Sequence, residues 1–405
     1  MTDSEAPAGV AQPFASEAGA ADARHLPGPP PGPWRLLDRL VVAGFAAALV
    51  LPAALLVAGV HAAQVENRAP RTLPALSIAG LADMTWPAGV DGFLTDHLWP
   101  RPYAIRLRGE VYWLSGGTGN PDVIRGVDDW LFIREELQPP CPRAPAQQVA
   151  ALERAAAAFG QRGIEFRFVL VPDKHTIYPE KLPTSNPFPP SCVDTNRAEL
   201  NLAMAPIEGV MIDPTAALQA ARAAPATSEV FYDEDTHWTP MGAAITVGEL
   251  VRSFGSGLWS AEDVQVSGRT RRVLDTPALL GLPRVAVTPK VVIRPEVLQR
   301  RVDVALPVAA GNTREIFRIT STGSDRLLPG RTLIVYDSYF AIDQQMVAPY
   351  FADSTWVHYA DMQAHPELAP LLGPFDRVIV ERVVRGFYSI DFDAMLAPAY
   401  EPAPG

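Results

Sequence analysis

The sequence predicts an open α/β sheet preceded by one membrane-spanning helix. Residues 40–60 carry no charge and are rich in Leu, Val, Ala and Phe, and about 20 such residues can cross a bilayer. After residue 147, helical segments alternate with short apolar strands, which is the pattern of a sheet covered by helices. Two of these strands, 331–336 and 376–381, have apolar centres typical of strands buried on both faces.

The composition supports a folded domain and excludes one class of partner. Of the 405 residues, 48% are hydrophobic and 20% are charged, so the chain can bury a sizeable core. The net charge is −11, the sequence pI is about 5.2, and no basic run occurs. Because binding to phosphates needs clustered Lys and Arg, we expect no nucleic-acid partner.

Arginines next to the apolar run indicate its orientation. Arg24, Arg35 and Arg39 precede it, and positive charge beside a first span keeps that side in the cytoplasm. We therefore predict a disordered cytoplasmic tail over residues 1–39 and a single-pass anchor in the cell membrane over residues 40–61. The rest of the chain would then be extracytoplasmic. Small residues at 60–63 leave a cleavable signal peptide as the alternative.

Between the anchor and the main domain, residues 62–125 are expected to form a Pro-rich linker and a helical lead-in. The apolar spacing predicts a pair of amphipathic helices between Trp86 and Leu114. The side chains expected to anchor this pair to the domain are Phe93, Leu94, Leu98, Ile105 and Leu107.

The main α/β domain is predicted over residues 126–405. Helices are expected at 147–161, 214–223 and 239–254, and strands at 164–171, 209–213, 331–336 and 376–381. Residues 285–292 and 301–308 alternate in the manner of antiparallel strands, with no long helix between them. The sequence therefore predicts a β-rich insertion at about residues 267–323.

A serine follows directly after the buried strand 331–336. Reactive side chains of an open α/β sheet collect at the carboxyl ends of its strands, and Asp337, Ser338 and Tyr339 stand at such an end. A serine in this turn would be exposed, with backbone N–H groups nearby to hold an oxyanion. The alternative is that Ser338 only caps the following helix.

An Asp-x-His pair is the second chemical feature. Side chains two residues apart point to the same side of an extended chain, so the carboxylate of Asp235 can hold Nδ1–H of His237. Nε2 then stays free to take a proton from a serine. The alternatives are a plain loop ion pair or a metal site that includes Asp233 and Glu234. Since no second His or Cys stands at ligand spacing, we expect no metal and no cofactor.

At these residues the sequence resembles the SGNH hydrolase-like domain of the alginate O-acetyltransferases of the AlgJ and AlgX type. The most specific shared element is an Asp-x-His-Trp run upstream of a strand-end Asp-Ser. The resemblance covers about residues 66–387, and its matching segments are 66–68, 96–97 with 101, 126 with 130–132, 171–174, 178–179 with 181–183, 235–240, 337–339 and 381–382.

The resemblance implies a catalytic triad of Ser338, His237 and Asp235, with the acid and base ahead of the serine in the chain. Tyr336 stands where the family's Gly-Asp-Ser motif has glycine, which implies a different turn or a widened pocket. The implied activity is transfer of acetyl groups, through an acetyl-serine, to hydroxyls of a cell-surface or exported polysaccharide. The implied donor partner is a polytopic membrane-bound O-acyltransferase. A secreted carbohydrate acetylesterase and a non-catalytic polysaccharide-binding scaffold are the alternatives.

Other residues near the predicted edge are candidates for binding substrate or the oxyanion. Lys174 and Tyr178 follow strand 164–171, and Arg382 follows strand 376–381. Tyr339 and Trp238 stand next to Ser338 and His237. The alternatives without a binding role are a solvated cation for Lys174, packed rings for the aromatic residues, and a simple ion pair of Arg382 with Glu381.

The two cysteines, Cys141 and Cys192, are the only ones in the chain. Outside the cytoplasm we expect them to form one disulfide, which would close a loop of roughly fifty residues and contribute ~3–4 kcal/mol. In a reducing cytoplasm they would be two unrelated thiols.

Overall fold

The computed structural model describes residues 34–62, 70–184, 209–224, 229–304 and 316–400. The chain divides into two units after His61. The first unit contains helix α1, Trp34–Val57. Within the described residues, α1 is the one helix long and apolar enough to cross a membrane, by length and composition. It ends earlier than the predicted span of residues 40–61, and the predicted tail lies mostly outside the described residues.

The second unit contains the α/β domain. Its further helices in the described ranges are α2 Ile78–Ala82, α3 Thr85–His97, α4 Arg101–Leu114, α5 Arg134–Leu137, α6 Pro145–Gln161, α7 Lys174–Ile177, α8 Thr215–Ala223, α9 Pro240–Arg252, α10 Asp275–Leu279, α11 Ser338–Ile342, α12 Gln344–Val347, α13 Tyr359–Ala364, α14 Leu368–Leu371, α15 Val384–Phe387 and α16 Phe392–Tyr400. Its strands are β1 Val123–Arg125, β2 Leu131–Ile133, β3 Glu165–Val171, β4 Met211–Ile212, β5 Val264–Val273, β6 Val285–Ile293, β7 Leu298–Asp303, β8 Phe317–Thr322, β9 Leu328–Tyr336, β10 Phe351–His358 and β11 Arg377–Val383.

Seven strands form the main sheet, in the order β4-β3-β11-β9-β10-β8-β7. The first five run parallel, and β8 and β7 continue the sheet antiparallel. The predicted open α/β sheet is therefore confirmed. The predicted insertion is corrected, because β7 and β8 belong to the main sheet; of the strands described at residues 267–323, β5 and β6 alone form a separate antiparallel pair.

Helices cover both faces of the parallel strands. Alternate residues of β3 face opposite ways: Phe168 and Leu170 join one apolar cluster with α6 and α16, while Val169 and Val171 join another with α9. This two-sided burial explains why the strand sequences are apolar throughout their centres. Helix α9 begins at Pro240, where a missing N–H leaves no bond unmade.

The predicted pair of lead-in helices is present as α3 and α4. Phe93, Leu98 and Ile105 are half-buried, as expected of anchoring side chains. Leu94 and Leu107 are not anchors, since 36% and 66% of their surfaces are exposed. Their apolar character contributes little to the packing of the lead-in against the domain.

Candidate active site

Ser338 lies at the carboxyl end of β9, in the first turn of α11. The residue before it, Asp337, is extended (φ −109°), and its carboxylate caps the helix by accepting the N–H of Tyr339 at 2.9 Å. Asp337 therefore fills the capping role, and the side chain of Ser338 is exposed. Among the described residues, the Ser338 N–H is hydrogen-bonded to no acceptor, so it can face an oxyanion.

The turn that carries Ser338 is fixed by the neighbouring strand β11. The second carboxylate oxygen of Asp337 accepts bonds from Val383 N at 3.0 Å and Arg382 Nη1 at 3.2 Å. Burial acts to raise the pKa of Asp337, but the Arg382 guanidinium and the N–H donors outweigh it and hold the pKa below its usual value. Arg382 thus pairs with Asp337 rather than with Glu381, and this ion pair helps to hold the turn.

Tyr336, in the position of the family's glycine, leaves the backbone regular. It stays in β9 and pairs with His358 in β10. Its ring packs against Phe317 and Trp356, with centroids 6.3 and 5.7 Å apart. The turn therefore needs no glycine, because the bend is made at Asp337 in an extended conformation that any residue adopts.

Asp235 and His237 lie on a loop that a single β-bridge closes, between Phe231 and Trp238. Asp235 is fully buried, and its Oδ1 lies 2.7 Å from Nδ1 of His237. Because an ionised carboxylate can only accept, Nδ1 carries the proton and Nε2 is the basic nitrogen. Nε2 is buried and has no hydrogen-bond partner in the described parts of the chain.

Two further residues, which no local sequence pattern indicates, contact this pair. Arg272 of β5 donates from Nε to Asp235 Oδ2 at 3.0 Å. Asp275 of α10 donates its backbone N–H to the same oxygen at 3.0 Å, and its carboxylate lies 3.3 Å from His237 Nδ1. They approach from thirty-five and more residues downstream, so only the fold brings them to the loop.

Burial lowers the pKa of His237, but the hydrogen bonds and charges of Asp235 and Asp275 outweigh it and raise the pKa above its ordinary value. The pKa of Asp275 is itself lowered: burial opposes this, and the bonds to His237 and Thr236 prevail. Asp275 is therefore ionised whenever His237 titrates.

The ligand atoms of Asp235, His237 and Asp275 lie within 4.8 Å of one another, a spacing that could also hold a metal ion. The guanidinium of Arg272, however, already lies 3.0 Å from Asp235. A fixed cation at this distance repels a second one. The residues therefore suit an oriented, hydrogen-bonded histidine better than a metal centre.

Two hydrogen bonds tie the serine helix to the histidine loop. The hydroxyl of Tyr339, next to Ser338, donates to the carbonyl of Thr236 at 2.5 Å. The indole N–H of Trp238 donates to Asp343, which ends α11, at 2.5 Å. No hydrogen bond joins Ser338 to Nε2 of His237 in the described structure. The neighbours of these two residues are therefore bonded across the site, but the serine hydroxyl is not bonded to the histidine.

Comparisons with known proteins show what the segment around Asp235 and His237 resembles. The model of the "SGNH hydrolase-like domain, acetyltransferase AlgX" matches residues 123–302. "Probable alginate O-acetylase AlgJ" of Pseudomonas aeruginosa is 30% identical over 133 residues, and that of Pseudomonas syringae pv. tomato is 31% identical over 134. Over residues 123–302 the chain is similar to the AlgJ/AlgX-type family. Each alignment covers 33% of this chain and 33% of the relative, so the chain spans about a third of the length of the curated relatives it matches.

The O-acetyltransferase domain of Pseudomonas putida AlgJ is a solved structure with a TM-score of 0.43 and 17% identity, over 69% of this chain and 99% of that domain. The AlgJ/AlgX-type match to residues 123–302 contains Asp235 and His237. Ser338 lies beyond that match and is located by the fold alone.

The structure corrects the expected role of Lys174. Its side chain is fully buried, and its ammonium donates to the carbonyl oxygens of Leu131, Asp233 and Asp235 at 2.5, 2.9 and 2.8 Å, with that of Tyr232 at 3.3 Å. A cation with these partners has no donor left for a substrate. Lys174 instead holds the loop that carries Asp235 and His237.

We expect Lys174→Met to lower the free energy of unfolding by about 3–5 kcal/mol, because it leaves buried carbonyl oxygens without a donor. Urea denaturation followed by circular dichroism measures the change. Lys181→Met is the matched control: it removes a partly exposed ion pair with Asp128, and the expected loss is below about 1 kcal/mol. Equal losses in the two variants would contradict this role for Lys174.

The other aromatic candidates are also structural. Tyr178 is buried and its hydroxyl accepts the N–H of Val230 at 3.1 Å. Trp238 and Tyr339 are fully buried, and their indole N–H and phenol hydroxyl make the two bonds between α11 and the histidine loop. Cys192 lies outside the described residues, so the disulfide with Cys141 stays a prediction.

Proposed function

We propose that the chain is a membrane-anchored O-acetyltransferase that acts outside the cytoplasm on hydroxyls of a cell-surface or exported polysaccharide. The similarity of residues 123–302 to the AlgX-type acetyltransferase domain supports acetyl transfer, and the curated relatives are themselves named as probable alginate O-acetylases. Within this proposal, α1 anchors residues 62–405, with residues 62–125 as the lead-in and residues 126–405 as the catalytic domain.

The observation that carries the proposal is the environment of His237. Its Nδ1–H is held by a buried carboxylate at 2.7 Å while Nε2 has no partner among the described residues. A histidine held in this way can act as a general base, because Nε2 is able to accept a proton. The exposed Ser338 follows β9, and its neighbour Tyr339 packs on the imidazole with ring centroids 4.9 Å apart.

In the first half-reaction, Oγ of Ser338 attacks the acetyl carbonyl while His237 Nε2 takes the hydroxyl proton. The tetrahedral oxyanion collapses, the donor's oxygen leaves with the proton from His237, and an acetyl-serine ester remains. Asp235 and Asp275 favour this step because their charges stabilise the imidazolium that forms.

In the second half-reaction, a sugar hydroxyl gives its proton to Nε2 and attacks the acetyl-serine carbonyl. The serine oxygen leaves and recovers the proton, so the acetyl ester is now on the sugar and the enzyme is unchanged. Water in place of the sugar would give acetate by the same route. We propose a polytopic membrane-bound O-acyltransferase as the partner that supplies acetyl groups, because an anchor holds the site near the membrane.

The test is capture of the acetyl-enzyme. Full-length protein is incubated with an activated acetyl ester, quenched in acid and digested, and we expect one added acetyl group on the peptide containing Ser338. Oligosaccharide acceptors are then added: transfer gives acetylated sugar in preference to acetate, whereas an esterase gives acetate alone. If Ser338 does not acylate, the result favours the alternative hypothesis of a non-catalytic polysaccharide-binding scaffold.

Asp275→Asn should move the acidic limb of the pH profile of kcat/KM to lower pH. The carboxylate of Asp275 helps to raise the pKa of His237, and His237 accepts a proton only when neutral. Without that charge the pKa falls, so the neutral form persists at lower pH. Asp233→Asn is the control, since the Asp233 carboxylate accepts the N–H of Glu234 and makes no bond to His237. If the acidic limb of the pH profile is unchanged in Asp275→Asn, then Asp275 does not raise the pKa of His237.

A further inference from the structure

Helix α4 has an apolar stripe on its outer face. Tyr103, Leu107, Val111 and Leu114 are exposed over 67, 66, 58 and 84% of their surfaces. Their spacing of four, four and three residues places them on one side of the helix. Single exposed apolar residues are ordinary on protein surfaces, but a continuous stripe of four marks an interaction surface.

The opposite face of α4 is docked on the domain. A Cβ on Gly109 would collide with the carbonyl oxygen of Leu280, so the helix backbone lies directly against that segment. Trp113 packs on the small apolar cluster that contains Leu280. The helix therefore packs on the domain through its inner face, and the stripe lies on the opposite, outward face.

The charges beside the stripe suit an anionic surface. Arg106 and Arg108 border it on either side. Arg106 lies 3.8 Å from Glu110, the single acid of the helix, and Arg108 donates to the carbonyl of Gly119 at 2.6 Å, so the three arginines and one glutamate of α4 leave it with a net charge of +2. These arginines stand out in a chain whose net charge is −11. An amphipathic helix with a basic margin and an aromatic ring among its apolar residues is the kind that lies in the headgroup layer of a bilayer.

Chain connectivity brings this helix to the membrane. Ala62 follows the end of α1 at Val57 by five residues, and its N–H donates to the carbonyl of His97 at 2.9 Å. His97 ends α3, and α4 begins at Arg101. Five extended residues reach about 18 Å at most, so an inserted α1 keeps the start of α4 within a short distance of the bilayer.

We propose that α4 is an interfacial membrane helix, with Tyr103, Leu107, Val111 and Leu114 immersed among the headgroups and upper acyl chains of an anionic bilayer. The inference rests on the proposed anchor. It makes the lead-in a second membrane contact that limits rotation of the catalytic domain about the anchor.

The experiment uses the full chain in vesicles of three parts phosphatidylcholine and one part phosphatidylglycerol. A nitroxide is attached to Leu107→Cys or Tyr103→Cys in the stripe, to Phe45→Cys in α1, or to Leu371→Cys in α14. Leu371 is a matched control, an exposed apolar residue elsewhere on the domain. The unsubstituted chain gives the background from its own cysteines. Collision with oxygen, which enters lipid, is compared with collision with a water-soluble nickel chelate.

We expect the labels at 107, 103 and 45 to be accessible to oxygen and shielded from nickel, and the label at 371 to show the reverse. A lipid-exposed label at 45 with aqueous labels at 107 and 103 would overturn the inference and leave the anchor standing. Aqueous labels at 45, 103 and 107 would remove the anchor and the inference together. Labels at 107 and 103 shielded from both reagents would mean that protein covers the stripe. Acylation of Ser338 is measured separately, so none of these outcomes decides the triad.

Discussion

Ser338→Ala is expected to lower the rate of acetate release from an activated acetyl ester by about a thousandfold or more. The substitution removes the one oxygen that the proposed mechanism acylates, and it leaves Asp337 free to cap α11 through its bond to Tyr339 N. Because the side chain is exposed, its loss creates no cavity, so stability should change by less than about 0.5 kcal/mol. Initial rates and thermal unfolding, measured on the same preparation, separate catalysis from folding.

Ser115→Ala is the matched control for this variant. Ser115 is also an exposed serine beside a helix end, and within the described ranges its hydroxyl donates to the carbonyl of Tyr112 alone. We expect its rate to equal that of the unsubstituted chain. If Ser338→Ala retains full turnover while folding normally, the acyl group is carried by another nucleophile and the triad proposal fails.

Asp235→Asn is expected to cost about four powers of ten in kcat. An amide can present its N–H₂ to His237, which would place the proton on Nε2 and leave no base for the serine. The substitution also removes the carboxylate charge that lies 3.0 Å from Nε of Arg272, so this ion pair is lost. A pH–rate profile and the one-step reaction of Ser338 with a sulfonyl fluoride measure the loss of the base directly.

Asp233→Asn again serves as the control, two residues earlier on the same loop. Its carboxylate caps the N–H of Glu234 at 2.9 Å, and a rate within a few-fold of the parent is expected. A comparable collapse in both variants would indicate that the loop itself had lost its structure, and the loss could not then be assigned to the tautomer of His237.

Local sequence patterns were sufficient for the elements that bury both faces or begin at a proline. β9 and β11 have continuous apolar centres, and α9 begins at Pro240. β10 was not predicted, because Ser354 and Thr355 interrupt its apolar pattern. Its position is set by the strands on either side, β9 and β8, and no short stretch of sequence contains that information.

The candidate site shows the same division. The pairing of Asp235 with His237 follows from a spacing of two residues in an extended chain. Arg272 and Asp275 act on that pair from the β5 strand and α10, and a contact of this kind depends on tertiary structure. Lys174 was misread because a lysine after a strand is usually solvated, whereas here backbone carbonyls converge on its ammonium.

The two hydrogen bonds between α11 and the histidine loop determine which motion can complete the proposed catalytic pair. Tyr339 and Trp238 bond the residues next to Ser338 and His237 to the opposite segment, so we expect the helix and the loop to move together. Any closure between the serine oxygen and Nε2 then falls to rotation about the Cα–Cβ bond of an exposed side chain. Such rotations take picoseconds to nanoseconds, far faster than enzymatic turnover. Preparing the nucleophile would therefore add no slow conformational step to the catalytic cycle.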